Sequence, residues 1–204
     1  MIPFWVREGG PTDEIVIREI FQENVYRVIR SDVADGVVFD FGANIGAFSV
    51  YAASLGAARV IAVEPEPENY QGLRLNARTY IQIHSHEFAL WDSEGVQRLF
   101  PSHGGTRITP DGPIVVATKT LERLFVDEHI ERCRVLKMDV ESAEYPIFRV
   151  TPSEILARID YITMEFHSTD ATTFGGLISK LSQTHAVQTL GSYERGGYIY
   201  ARRY

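Results

Sequence analysis

Asp40-Phe41-Gly42-Ala43-Asn44-Ile45-Gly46 places an acid, two glycines and an asparagine directly after the apolar run Val37-Val38-Phe39. Gly42 permits a tight turn and close backbone approach to a ligand, and Gly46 lets a following helix pack close to the strand. The run is not the G-x-G-x-x-G of a nicotinamide site, because Asn44 stands at the second glycine. A carboxylate at Asp40 repels a pyrophosphate and attracts a cation. The pattern points to a nucleoside carrying positive charge, such as S-adenosylmethionine with its sulfonium and amino groups; the plainer alternative is an ordinary strand–helix turn. Glu64-Pro65 follows 22 residues after Gly42, where an acid accepts both ribose hydroxyls in a bidentate fashion. Alone, Glu64 reads as a surface strand-end acid; with Asp40 and the glycines at this spacing it reads as a ligand contact.

These residues need a scaffold that brings strand ends together. Val37–Asp40, Arg59–Val63, Arg134–Asp139 and Tyr161–Phe166 are short apolar runs that read as strands, and a further short strand is expected at Glu87–Leu90. Helices are expected over Ile45–Leu55, Glu66–Tyr80, Leu121–Val126, Glu144–Arg149 and Phe174–Gln183. Residues 14–30 read as a short helix followed by a strand, and 91–118 as hairpins and loops inserted in the alternation. Two final strands, near 186–190 and 197–202, flank a short turn and must be antiparallel to each other. Alternating strands and helices predict an α/β, doubly wound, mostly parallel sheet with helices on both faces. Ligands on such sheets bind beyond the carboxyl ends of the strands, which singles out Asp40, Glu64, Ala89, Asp139 and Glu165.

The 204 residues, 45% hydrophobic and 23% charged, suit a single globular domain, with 1–36 as an N-terminal cover segment. A formal charge of −7 argues against nucleic acid as the main partner. One cysteine, Cys133, excludes an internal disulfide framework and a cysteine-based zinc site. The first residues lack the basic start and apolar run of a secretory signal, and the longest uncharged stretch, Phe41–Ala58, reads as buried rather than membrane-spanning. A soluble, cytoplasmic protein is expected.

Phe39-Asp40-Phe41-Gly42-Ala43-Asn44-Ile45-Gly46, Val63-Glu64-Pro65, Leu136-Lys137-Met138-Asp139-Val140-Glu141 and Met164-Glu165-Phe166-His167 together resemble the FkbM family of S-adenosylmethionine-dependent methyltransferases. The resemblance implies a seven-stranded, Rossmann-like class I methyltransferase sheet whose last strand runs antiparallel, and O-methylation of a hydroxyl. By the same resemblance Asp40, Gly42, Asn44 and Gly46 surround the methionine part of the cofactor, Glu64 holds its ribose, Phe88 and Ala89 lie near its adenine, and Pro65 is a further cofactor contact. One departure is Ser142, where the family has glycine after Asp-Val-Glu.

Methyl transfer from a sulfonium is an in-line displacement, so the protein's main task is to hold the acceptor oxygen on the methyl axis. A base within hydrogen-bond reach helps the hydroxyl lose its proton. Asp139, Glu141 and His167 are the candidates: the two acids fall on one side of an extended segment, and a neutral imidazole has suitable basicity near pH 7. His103 and Glu165 are candidate acceptor contacts. A divalent metal held by Asp139, Glu165 and His167 is chemically reasonable but not favoured, since imidazole suits magnesium poorly. The expected acceptor is a small molecule, sugar or glycan with a free hydroxyl, and a homo-oligomer is possible. Rival readings are a non-catalytic cofactor- or partner-binding module on the same fold and a nicotinamide-dependent oxidoreductase.

Overall fold

The computed structural model describes residues 3–9, 11–101 and 105–204. The first half runs α1 (Pro11–Arg18), α2 (Arg30–Val33), β1 (Val37–Phe41), α3 (Ala47–Ser54), β2 (Arg59–Val63), α4 (Pro67–Ala77) and β3 (Ile83–His86). Four short strands follow: β4 (Ala89–Leu90), β5 (Gly95–Phe100), β6 (Arg107–Ile108) and β7 (Ile114–Lys119). The remainder is α5 (Leu121–Asp127), β8 (Cys133–Met138), α6 (Glu144–Val150), α7 (Ser153–Leu156), β9 (Ile159–Phe166), α8 (Ala171–Leu181), β10 (His185–Ser192) and β11 (Gly196–Arg203).

Seven strands form one sheet in the order β10-β11-β9-β8-β1-β2-β3. β1, β2, β3, β8 and β9 are mutually parallel, and β11 runs antiparallel to both β9 and β10. The central strands β1, β2 and β8 are buried almost along their length, because helices cover both faces. Phe39, Phe41, Leu136, Met138, Phe148 and Ile162 belong to the largest buried cluster, and each such side chain contributes roughly 1.5–3 kcal/mol on full burial. The chain reverses direction across the sheet between β1 and β8. The carboxyl ends of β1, β2, β3, β8 and β9 therefore lie along one edge of the sheet.

The strand expected at Glu87–Leu90 is placed differently. The third strand of the main sheet is Ile83–His86, paired with β2, and only Ala89–Leu90 is extended, pairing with β7. As an edge strand with partly exposed residues, Ile83–His86 has no continuous apolar run to announce it. The run Phe88-Ala89-Leu90 instead enters the core under a second, four-stranded sheet, β4-β7-β5-β6.

The strand expected within 14–30 is also absent from the described residues. α1 passes into a π-helical turn over Glu19–Glu23, and the chain then turns at Asn24 and Arg27, both left-handed (φ 48° and 51°). The apolar residues there serve a packed loop. Upstream, Arg7 binds the fully buried Asp13 through its main-chain N–H at 2.8 Å and its guanidinium, and donates to Asn69 Oδ1 at 2.7 Å. The Trp5 main chain brackets the Asn76 side chain at 2.6 and 3.1 Å. Trp5 and Arg7 are thereby tied to α4. No helix among the described residues is long and apolar enough to cross a membrane.

Candidate active site

The turn after β1 is shaped by contact with its neighbours. The main-chain N–H groups of Gly42 and Ala43 donate to Val63 O at 3.0 and 3.1 Å, and Asp139 N donates to Phe41 O at 2.9 Å. Gly42 has φ +68°, and a Cβ placed there would stand 1.7 Å from the Asp139 carbonyl oxygen, so only glycine fits. Asn44 takes φ +50°, a conformation asparagine tolerates. Its side chain accepts the Ile45 N–H at 2.8 Å, and its own N–H donates to Glu64 Oε2 at 2.8 Å. Glu64 Oε1 accepts from Glu66 N at 2.9 Å, and the Asn69 side chain lies at 3.5 Å. Burial pushes the Glu64 carboxyl up to about 7, against the pull of these donors.

A cavity of about 450 Å³ opens beyond the strand ends, within the range of small-molecule sites. Gly42, Asn44, Glu64, Pro65 and Ala89 line one part, and Asp139, Glu141, Glu165 and His167 another. Residues from three covering segments complete it: Val16 and Glu19, Leu99, and Gly105 with Thr106. Five carboxylates line this space, and no lysine or arginine does among the described residues.

Three expected ligand contacts stand elsewhere. Asp40 is fully buried behind the turn, where it accepts from Ser49 Oγ at 2.6 Å and pairs with Lys137 Nζ at 3.2 Å. Lys137, its register partner across β1 and β8, also donates to Gly42 O at 2.7 Å. The charge read as ligand-facing is thus spent holding the turn. Gly46 packs on Leu73 of α4, whose Cδ1 would stand 2.6 Å from an added Cβ. Phe88 is buried outside the cavity wall, beneath Lys119 Nζ at 5.0 Å. His103 lies outside the described residues.

On the other side of the cavity, Asp139 Oδ2 accepts from the Tyr26 hydroxyl at 3.3 Å. His167 is held from both ends: Nε2 lies 3.0 Å from Glu141 Oε2, and Nδ1 lies 3.2 Å from Glu144 Oε1. Glu144 also accepts the His167 main-chain N–H at 2.8 Å, and the Tyr145 hydroxyl donates to the His167 carbonyl. The Ser142 N–H stands 3.3 Å from Nδ1. It can donate there only when Nδ1 carries no proton. Burial alone would lower this histidine, but the two acids outweigh it and push it up to about 11. His167 is therefore an imidazolium at neutral pH, not the neutral base expected from sequence.

Glu165 makes no hydrogen bond or ion pair with a described residue. Burial, and then the nearby Asp139 charge, push it up to about 7. The groups positioned to share a cation are Asp139, Glu141 and His167, whose ligand atoms lie within 4.8 Å of one another. Glu141 replaces the Glu165 expected in that set, and the ion pair to His167 already accounts for the approach. Sequence reasoning missed Tyr26 and Lys137, and it named Glu144 only as the first residue of an expected helix. Each acts through a partner on a distant segment, which spacing does not reveal.

A mostly parallel seven-stranded sheet with a reversed last strand, and a glycine turn opening on a strand-end cavity, define the class I methyltransferase fold. The chain belongs to the FkbM methyltransferase family: residues 40–200 match the Methyltransferase FkbM domain. Family and fold support an enzyme that transfers methyl groups. The chain is similar to the FkbM methyltransferase of Methylobacillus flagellatus KT, at 16% identity and TM-score 0.59, covering 90% of this chain and 47% of that one. A Streptococcus mutans protein, SMU.1697c, solved in complex with SAH, has 9% identity and TM-score 0.53, covering 95% and 98%. In sequence the chain is 26% identical over 226 aligned positions to the AMB antimetabolite synthetase AmbE of Pseudomonas aeruginosa PAO1. That match covers 86% of this chain and 10% of the synthetase, so the chain spans about a tenth of that relative's length.

Proposed function

We propose that this protein is an S-adenosylmethionine-dependent O-methyltransferase acting on a hydroxyl of a small molecule, sugar or glycan. The observation that carries the reading is the cavity: a glycine turn and a ribose-competent acid on one side, facing free and oriented carboxylates on the other. Its described lining of acids without lysine or arginine suits a donor bearing sulfonium and ammonium charges, and disfavours a pyrophosphate or a phosphodiester acceptor. The similarity to an antimetabolite synthetase supports a small-molecule setting.

In this reading Gly42 and Asn44 cradle the methionine part, Glu64 accepts the ribose hydroxyls, and Pro65 and Ala89 border the adenine. The acceptor oxygen approaches the methyl carbon opposite the sulfur; the O–C bond forms as the C–S bond breaks, leaving a neutral thioether. Asp139 fixes the acceptor hydroxyl, and Glu165, poised near neutral pH, takes its proton. His167 is a fixed cation that holds Glu141 in place at the cavity wall. The cover segment and the second sheet close over the acceptor.

The test is incubation with methyl-labelled S-adenosylmethionine and a panel of polyols, sugars, glycans and matched amines, with products read by mass spectrometry and carbon NMR. An O-methyl signal on a hydroxylated acceptor supports the reading. Label found solely on nitrogen would overturn the choice of atom.

A further inference from the structure

The Asn24–Val28 loop buries the side chains of Tyr26 and Val28, and side-chain hydroxyls take its main-chain carbonyls. Val25 O accepts from the Tyr200 hydroxyl at 2.8 Å, and Val28 O from the Tyr51 hydroxyl at 3.0 Å. Tyr26 O accepts from both the Tyr161 hydroxyl at 3.0 Å and the Thr163 hydroxyl at 2.9 Å. The Asn24 side chain closes the loop on itself, accepting the Val28 N–H at 3.0 Å and donating to Val28 O at 3.1 Å. Loop carbonyls ordinarily face water; here hydroxyls from α3, β9 and β11 capture three of them.

All of this fixes one phenol. Tyr26 is 5% exposed, edge-on to Phe48 and Tyr198 at ring separations of 5.6 and 6.0 Å. A phenylalanine would fill the same volume. The hydroxyl needs a partner, and the partner it reaches, 113 residues away, is the cavity carboxylate of Asp139. Asp139 Oδ1 has no hydrogen-bond partner among the described residues.

We infer that Tyr26 is a positioning residue of the methyl-transfer site: its O–H holds Asp139 Oδ2, so that Oδ1 is presented to the acceptor hydroxyl. The N-terminal segment is then part of the site's machinery as well as its cover. The inference rests on the methyl-transfer reading of this cavity, and it specifies which residue fixes Asp139.

Tyr26→Phe keeps the ring and removes the donor. Three quantities are compared with wild type: the ¹³Cγ resonance of Asp139, assigned with Asp139→Asn; calorimetric affinity for S-adenosylhomocysteine; and kcat and KM for the acceptor found in the labelled-methyl panel. The expected result is a displaced Asp139 resonance, affinity for S-adenosylhomocysteine within about threefold, and kcat lower by about tenfold or more, the scale of one hydrogen bond to a charged group. An Asp139 resonance at its wild-type position, or kcat within about twofold of wild type, overturns the inference. Should Tyr26→Phe not fold, the ¹³Cζ resonance of Tyr26 is followed in Asp139→Asn. A shift there supports the contact and its absence overturns it. A wild-type protein that does not bind S-adenosylhomocysteine is a separate outcome, which removes the methyl-transfer reading itself.

Discussion

Asn44 donates its main-chain N–H to the Glu64 carboxylate at 2.8 Å, joining the glycine turn after β1 to the acid that ends β2. The two features that most resemble a nucleoside site are thus one hydrogen-bonded unit. Glu64 is buried to 4% exposure; its Oε2 accepts one main-chain donor and keeps a lone pair, while Oε1 accepts from both Glu66 N and the Asn69 side chain.

That unit gives a pH dependence with a definite sign. Folded Glu64 sits at about 7, above its ordinary 4.5, so between those values the folded state holds a proton that the unfolded chain releases. Stability therefore falls as pH rises through this window, by up to roughly 3 kcal/mol from a fully buried group. Glu165, also raised, adds in the same direction. Urea unfolding of Glu64→Gln from pH 4.5 to 7.5 is expected to show a visibly flatter fall than wild type. Parallel curves for the two proteins would contradict this.

Asp139 and Glu165 separate by their effects on turnover. Asp139→Asn is expected to retain S-adenosylhomocysteine affinity within about threefold while kcat falls about a hundredfold or more. Glu165→Gln is expected to remove the rise in kcat through pH 7, because the group poised there is gone. Wild-type turnover in either variant would refute the assigned role.

Ser142 has φ +76° beside Glu141 at φ +53°. Left-handed geometry costs a non-glycine residue about 1–2 kcal/mol, part of which a glycine returns through greater unfolded-state freedom. Ser142→Gly is expected to stabilise by about 0.5 kcal/mol, and Ser142→Val to destabilise by about 1–2 kcal/mol, since a branched side chain fits this region worst. Chemical denaturation checks both signs.

Gly42→Ala puts a methyl group onto the Asp139 carbonyl. The turn must move away from β8, so a loss of at least about 2 kcal/mol is expected, together with loss of S-adenosylhomocysteine binding by calorimetry. Retained affinity would show that the turn is not part of the ligand site.

Much of this was legible because it is local. Apolar strands of fixed length, the glycine turn and Glu64 all announce themselves within a few residues, and they placed the sheet and one side of the cavity. The reading of Asp40 failed for a non-local reason: its partner Lys137 is adjacent only through the β1–β8 register. Tyr26 was invisible for the same reason, since the apolar pattern around it reads as a strand and no spacing rule links it to Asp139. Glu144 and His167 illustrate a third limit. Two acids converging on one ring change its protonation state, and that convergence exists only once α6 is folded against the end of β9.

Whether this cavity binds the methyl donor is decided by calorimetric titration with S-adenosylhomocysteine, with NADH as control and Glu64→Ala as the variant. Micromolar binding of S-adenosylhomocysteine alone is expected, lost in Glu64→Ala while the chain stays folded. Binding of NADH alone, or equal S-adenosylhomocysteine affinity in wild type and Glu64→Ala, would contradict it.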